Sequence, residues 1–186
     1  MPYQIKPKIC VSGAARTDVC SEDALVKAEE VGKEIVRQGA VLVTGATTGI
    51  PYWAAKGAKE AGGISIGISP AASYREHVKA YNLPTDYFDL IIYTGFNYSG
   101  RNLLLVRSSD ASIIICGRMG TLNEFTIAFE DGKPIGVLTG TGGTIELIDD
   151  LVKESHRKDP GGVFYEKEPA LLVKTVLQRL KEMQEQ

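Results

Sequence analysis

The 186-residue sequence predicts a doubly wound α/β domain: a mostly parallel sheet of about six or seven strands with helices on both faces. Apolar runs of strand length alternate with helical patterns along the whole chain. The runs are near-continuous in Ile, Val and Leu instead of alternating with polar residues, which indicates burial on both faces. The connections between them are short, as strand–helix–strand units require.

The first strand is expected at 8–13 ("KICVSG") and the first helix at about 22–38, with Ser21 as N-cap and Gly39 as stop. Ala24, Leu25, Ala28, Val31, Ile35 and Val36 keep the helical period there. A strand at 40–45 leads to a helix at 51–63, where Pro51 suits a first turn. Further strands are expected at 64–69, 90–95, 111–116 and 134–139, and helices at about 98–109, 121–131, 144–156 and 168–184. The last helix carries an apolar stripe of Leu171, Leu172, Val176 and Leu180. Residues 70–88 form a longer, less regular connection, and 159–162 ("DPGG") a turn. No linker, repeat or low-complexity tract divides residues 1–186, so one domain is expected.

Composition excludes several classes. The chain is 44% apolar and 24% charged with net charge −2, and it has no basic tract, which argues against a general nucleic-acid binder. No segment approaches the ~18 continuous apolar residues of a membrane span. The run near the N-terminus is too short and mixed for a signal sequence. Cys10, Cys20 and Cys116 are few, odd in number and unlike zinc spacing, so they read as reduced thiols of a cytoplasmic protein. His77 and His156 have no metal-ligand partner nearby in sequence and read as surface residues; no metal site is expected.

Candidate chemistry collects at the carboxyl ends of the strands, where doubly wound sheets bind ligands. Small residues crowd there in "SGAART" (12–17), "TGATTG" (44–49), "TGFNYSGRN" (94–102), "CGRMGT" (116–121) and "TGTGGT" (139–144). Glycine allows close backbone approach, while hydroxyls and free helix-start N–H groups suit phosphate oxygens. The candidate ligand residues are Gly13, Gly45, Thr47, Gly49, Gly117, Arg118, Gly120 and Thr121, with a phosphate expected on the 116–121 turn beside Arg118. Any one such turn is common in α/β proteins; five on one edge point to an anionic or nucleotide-like ligand. Neither G-x-G-x-x-G nor G-x-x-x-x-G-K-[ST] occurs, which argues against a standard dinucleotide fold or a Walker-type NTPase. Thr121-Leu122-Asn123-Glu124 fits a capping box, and a glutamate at a helix N-terminus would stay ionised at the cleft edge; the two readings are compatible. Tyr52, Trp53 and Tyr98 can stack on a base or pack on neighbours.

The stretch "SGRNLLLVRSSDASIIICGRMGTLNEF" (99–125) resembles the signature of the Lonely-guy (LOG) family. That signature is an Arg, a helix, Asp-Ala, an apolar strand, then Pro-Gly-Gly-x-Gly-Thr-x-x-Glu. Arg101, Asp110, Ala111, Gly117, Gly120, Thr121 and Glu124 fall in register. Residues 43–70 are similar to the family's Gly-rich turn and following helix, and 132–143 look closer to the DprA/Smf-related branch, which includes a molybdenum-cofactor carrier. The resemblance implies a Rossmann-like fold of the wider SLOG superfamily. It also implies hydrolysis of the N-glycosidic bond of a nucleoside 5′-monophosphate, with Arg101 and Glu124 as catalytic residues and no cofactor required. The sequence departs from the motif at Cys116 (for proline), Arg118 (for glycine) and Tyr52 (for glycine). The alternative is a non-catalytic binder or carrier of a nucleotide or of molybdenum cofactor; a DNA-processing partner is a third reading, opposed by a pI near 5.8. The family, together with the run Leu103-Leu104-Leu105-Val106, which exceeds what one helix face buries, implies a homodimer or higher homo-oligomer.

Overall fold

Seven strands, all parallel, lie in one sheet in the order β4-β3-β2-β1-β5-β6-β7. They are β1 (Lys8–Gly13), β2 (Val41–Thr44), β3 (Ser65–Ser69), β4 (Leu90–Tyr93), β5 (Ala111–Ile115), β6 (Ile135–Leu138) and β7 (Val163–Glu166). The helices are α1 (Ala24–Arg37), α2 (Ile50–Glu60), α3 (Tyr74–Lys79), α4 (Asn97–Arg107), α5 (Met119–Glu130), α6 (Ile148–Glu154) and α7 (Pro169–Gln184). This computed structural model describes residues 5–158 and 161–185. The order runs outward one way from β1 to β4 and the other way from β5 to β7, so the reversal falls between β1 and β5.

Each expected strand and helix is present, with ends shifted. The first helix starts at Ala24: Ser21 is not its cap, because its hydroxyl donates to Asp23 Oδ1 (2.7 Å) and no side chain caps α1. A short helix, α3, interrupts the 70–88 connection; Ser73 Oγ caps it by accepting from Glu76 N (3.2 Å). The 144–156 helix divides into a 3-10 turn at Gly143–Leu147 and α6. A seventh strand, β7, follows the 159–162 segment; of the turn expected there, residues 159 and 160 lie outside the described residues. In α7 the buried stripe is Leu172, Val173, Val176 and Leu180, while Leu171 is 47% exposed. His77 is buried, not on the surface: its Nε2 donates to the Pro84 carbonyl and its Nδ1 accepts from Ser69, both at 2.8 Å.

Alternate strand residues feed opposite faces. Ile9, Val11, Leu42, Ile113, Ile115 and Leu138 meet α1, α2 and α7 in one continuous core. On the other face the apolar packing is split. Ile114, Ile135 and Val137 meet Val106 of α4 and Phe125, Ala128 and Phe129 of α5, whereas Cys10, Val43 and Ile68 meet Leu105 separately. Between these two patches lies the polar cluster described next. Among the described residues no helix is long and apolar enough to cross a membrane.

Candidate functional site

At the reversal, the chains leaving β1 and β5 turn to opposite faces and leave a crevice at their carboxyl ends. It holds a cavity of about 310 Å³, at the small end of the ~300–1,000 Å³ typical of ligand pockets. Gly13 and the 14–16 segment form one wall, with Gly45, Thr47 and Pro51 beside them. Tyr98, Arg101 and Asn102 of α4 form another, and Arg118, Gly120, Thr121 and Glu124 close the third. Gly49 and Gly117 do not line it. Gly49 turns with φ +69° against the Ala14 carbonyl, and Gly117 packs on Thr121 while its carbonyl accepts from Thr144 N at 2.9 Å.

Glu124 sits at the centre and is only 6% exposed. The expected capping box does not form. The helix begins earlier, at Met119, with Arg118 at the N-cap, so Thr121 and Glu124 lie inside it and no side chain caps it. The carboxylate instead faces Ser12 and Arg101: Ser12 Oγ donates to Oε2, and Arg101 Nη1 donates to Oε1 at 3.1 Å. With its amide turned, Asn102 donates to Glu124 Oε1 (2.8 Å) and to the Tyr98 carbonyl (2.9 Å). Burial pushes the Glu124 carboxyl above its ordinary range, while the Arg101 charge and the Ser12 hydroxyl pull it back. The expectation of a carboxylate at a helix terminus on the cleft edge is therefore corrected: Glu124 lies inside α5, buried and desolvated.

Arg101, 5% exposed, reaches Glu124 across Gly45, where a Cβ would stand 2.0 Å from Nη1. Its Nε is buried without a hydrogen-bond partner. A buried guanidinium donor left unpaired is costly, so the Arg101–Glu124 cluster is not fully satisfied within the protein. At the rim, Gly120 and Thr121 of the first turn of α5 line the cavity, and that turn holds no acidic residue to offset the partial positive charge of the helix N-terminus. Arg118, with its expected phosphate role, is exposed and pairs with Asp18, and its Nε reaches the Arg16 carbonyl at 3.4 Å. Tyr98 lies along the wall with Arg101 5.9 Å from its ring centroid; Tyr52 instead packs edge-on against Tyr87 at 5.3 Å, and Trp53 joins the core. Among the described residues no group of His, Cys, Asp or Glu is placed to hold a metal ion.

Ser12, Asn102 and Asp18 escape sequence reasoning. Asn102 leaves a trace, as a polar pair with Arg101 ahead of an apolar run; Ser12 looks like one more turn residue. The reduced-thiol reading is corrected for two cysteines: Cys20 and Cys116, 96 residues apart, are joined in a disulfide with Cα atoms 5.6 Å apart, and only Cys10 is free.

Residues 6–173 match the SLOG cluster4 family over most of the chain. The chain belongs to that family. An uncharacterized protein of Archaeoglobus fulgidus is 34% identical over 131 residues, 70% of this chain and 81% of that one. The molybdenum cofactor carrier protein of Chlamydomonas reinhardtii superposes with TM-score 0.75 at 31% identity, covering 95% of this chain and 99% of that one. The molybdenum cofactor binding protein of the phototrophic bacterium Rippkaea orientalis gives 0.77 at 28% identity, covering 97% and 99%. The SLOG cluster4 assignment agrees with the superfamily suggested by residues 99–125, and the two solved structures share the Rossmann-like fold of this chain.

Proposed function

We propose that this SLOG protein binds a phosphorylated, ring-bearing small molecule of the nucleotide or molybdenum-cofactor kind in the crevice between β1 and β5, and acts as a binder or carrier. The observation that carries the reading is the cavity at the β1/β5 reversal, walled by Tyr98, Arg101 and Asn102 on one side and by Arg118, Gly120 and Thr121 on another. The residues present suit such a ligand. A phosphate fits the open N-terminus of α5 beside Gly120 and Arg118, a ring fits along Tyr98, and the Arg101–Glu124–Asn102 cluster offers both donors and acceptors. For molybdenum cofactor the grip would fall on its organic part and phosphate. The likeness to two molybdenum-cofactor proteins over nearly the full chain supports the same reading. The test is mass spectrometry of whatever small molecule is released when the purified protein is denatured, with titration of AMP against adenosine as the probe pair. Arg118→Ala should weaken AMP more than adenosine. Equal weakening would remove the phosphate from the α5 turn.

One observation favours a second reading, N-glycosidic hydrolysis of a nucleoside monophosphate. Loss of a base builds oxocarbenium character on the ribose. Glu124 lines the cavity and burial raises its affinity for a proton, so it can accept one from water, and Arg101 at 3.1 Å can steady its charge. Incubation with AMP, GMP, CMP and IMP decides it. Release of free base and ribose 5-phosphate, abolished by Glu124→Ala in a protein that still folds, supports hydrolysis; tight binding without release leaves the carrier.

Self-association through the α4 edge is part of this proposal. Leu103 and Leu104 are partly exposed, and Leu90, Ile92 and Phe96 beside them are each about half exposed or more. A ~20 kDa species in sedimentation at micromolar concentration would remove it.

A further inference from the structure

We infer that the Cys20–Cys116 bond is a redox latch on the candidate site, opened by a dithiol reductant and closed by reoxidation. Its binding consequence rests on the reading above; its structural consequence does not.

The position of the bond carries the inference. Cys116 is the residue directly after β5 and lies two before Arg118, on the wall that continues into Gly120 and Thr121. Cys20 lies in the connection between β1 and α1, four residues after Arg16 on the facing wall. The disulfide therefore ties together the two segments that form the mouth of the cavity. Other direct ties across that gap are weak. The Arg118–Asp18 pair is exposed on both sides, and exposed pairs stabilise little. The Arg118 Nε contact with the Arg16 carbonyl is long, at 3.4 Å. A third loop joins the two segments indirectly. It meets the first through Ser21 N to the Thr141 carbonyl (3.0 Å) and a Cys20–Gly142 bridge. It meets the second through Cys116 N to Thr141 Oγ1 (2.9 Å), Thr144 N to the Gly117 carbonyl (2.9 Å) and Thr144 Oγ1 to the Arg118 carbonyl (3.2 Å). Residues 14–23 contain no helix or strand beyond that bridge. The 48–50 turn holds Ala14 and Ala15, through Ile50 N to the Ala14 carbonyl (3.0 Å) and Thr48 Oγ1 to the Ala15 carbonyl (3.1 Å), which leaves 16–22 to the disulfide, the Arg118 contacts and the third loop. Cys116 also holds φ +54°, in the left-handed region that L side chains seldom occupy, so a released Cys116 has reason to relax.

The chemistry is asymmetric. Cys20 is half-buried and Cys116 fully buried, so an incoming thiolate reaches the Cys20 sulfur. That attack forms a mixed disulfide and expels Cys116 as a thiolate, which takes up a proton. Its place just ahead of the α5 N-terminus favours the departing negative charge. The second thiol of the reductant then attacks the mixed disulfide and releases the Cys20 thiol. The reductant becomes a disulfide, and two electrons and two protons pass to the protein. Cys10 does not compete, because burial pushes its thiol far up and keeps it inert.

The experiment compares wild-type protein oxidised, and reduced with dithiothreitol, with the Cys20→Ser/Cys116→Ser double variant. Alkylation of the oxidised, denatured protein without reductant should mark one cysteine; three marks overturn the latch. Amide exchange over 14–23 and 116–121 should quicken at least tenfold on reduction and be equally fast in the double variant without reductant. Unchanged exchange in the reduced wild type overturns it, whether or not the variant folds. AMP affinity should fall about tenfold on reduction. Equal binding by both forms overturns the latch, whereas binding by neither form defeats the ligand reading and leaves exchange to decide the latch.

Discussion

The two faces of the sheet are built from the same strands yet packed by different rules. On the α1/α2/α7 face, hydrocarbon is continuous, and helices approach so closely that a Cβ on Gly57 would stand 1.9 Å from the Glu29 carbonyl oxygen. Outside that contact, Glu29 bridges Lys33 at 2.5 Å and Lys56 at 2.6 Å, tying α1 to α2. On the α4/α5 face, Arg101, Glu124, Asn102 and Ser12 interrupt the apolar packing, and a cavity replaces it. Burying such a cluster is at best neutral for stability, since desolvation offsets the Coulomb attraction. The difference teaches that one face holds the fold together so that the other can hold charges where a ligand needs them.

The largest test breaks the polar face. Arg101→Ala leaves a buried carboxylate without its partner, and removing one member of such a pair costs about 3–5 kcal/mol. The loss should be smaller at pH 5 than at pH 8, because Glu124 can then take up a proton. Arg101→Leu with Glu124→Leu should recover most of it while AMP binding is lost. Urea denaturation reads both; a double variant as unstable as Arg101→Ala would mean the cluster itself holds the fold.

Smaller changes come from paired glycine substitutions, one on each face. Gly57→Ala must push α1 and α2 apart and should cost about 1–3 kcal/mol, as overpacking does, with AMP affinity unchanged. Gly120→Ala meets no atom within 4 Å and sits in a helix, so stability should hold or rise by up to ~1 kcal/mol. Its effect should appear only in AMP affinity, because the methyl group enters the ligand's approach. A Gly120→Ala protein that binds AMP unchanged would clear the α5 turn of any ligand role.

The smallest effects are slopes of opposite sign with pH. Lys33 and Lys56 hold Glu29 down to about 2 from an ordinary 4.5, so its stabilisation is present above 4.5 and lost as pH falls toward 2. Burial raises Glu124, so its contribution is full below 4.5 and lost as pH rises through its folded value. Glu29→Gln should flatten the acid limb of stability against pH, and Glu124→Gln the slope above 4.5. Equal slopes in either variant and wild type would mean that the named carboxylate does not govern that limb.

The parallel sheet, six of its strands and the order of helices were legible in the sequence, because strand and helix periodicities depend on residues within one turn or one strand of each other. Arg101 and Glu124 were also legible, through their place in a motif. What the motif could not reveal is what Glu124 touches. The chain carries the S/T-x-x-E pattern twice, at Ser73–Glu76 and Thr121–Glu124. The first caps a helix and the second does not. The difference arises from Ser12, 112 residues away, and from Arg101, which together draw the second glutamate inward. The glycines divide in the same way: Gly45 and Gly120 leave room at the cavity, while Gly49 and Gly117 serve the turns behind it. The pairing of Cys20 with Cys116 left no local trace either. Local sequence determined the elements, because backbone propensity and burial pattern are short-range properties. Tertiary structure alone decided the carboxylate's burial, the cavity and the disulfide, because desolvation, shape and thiol proximity exist only after distant segments meet.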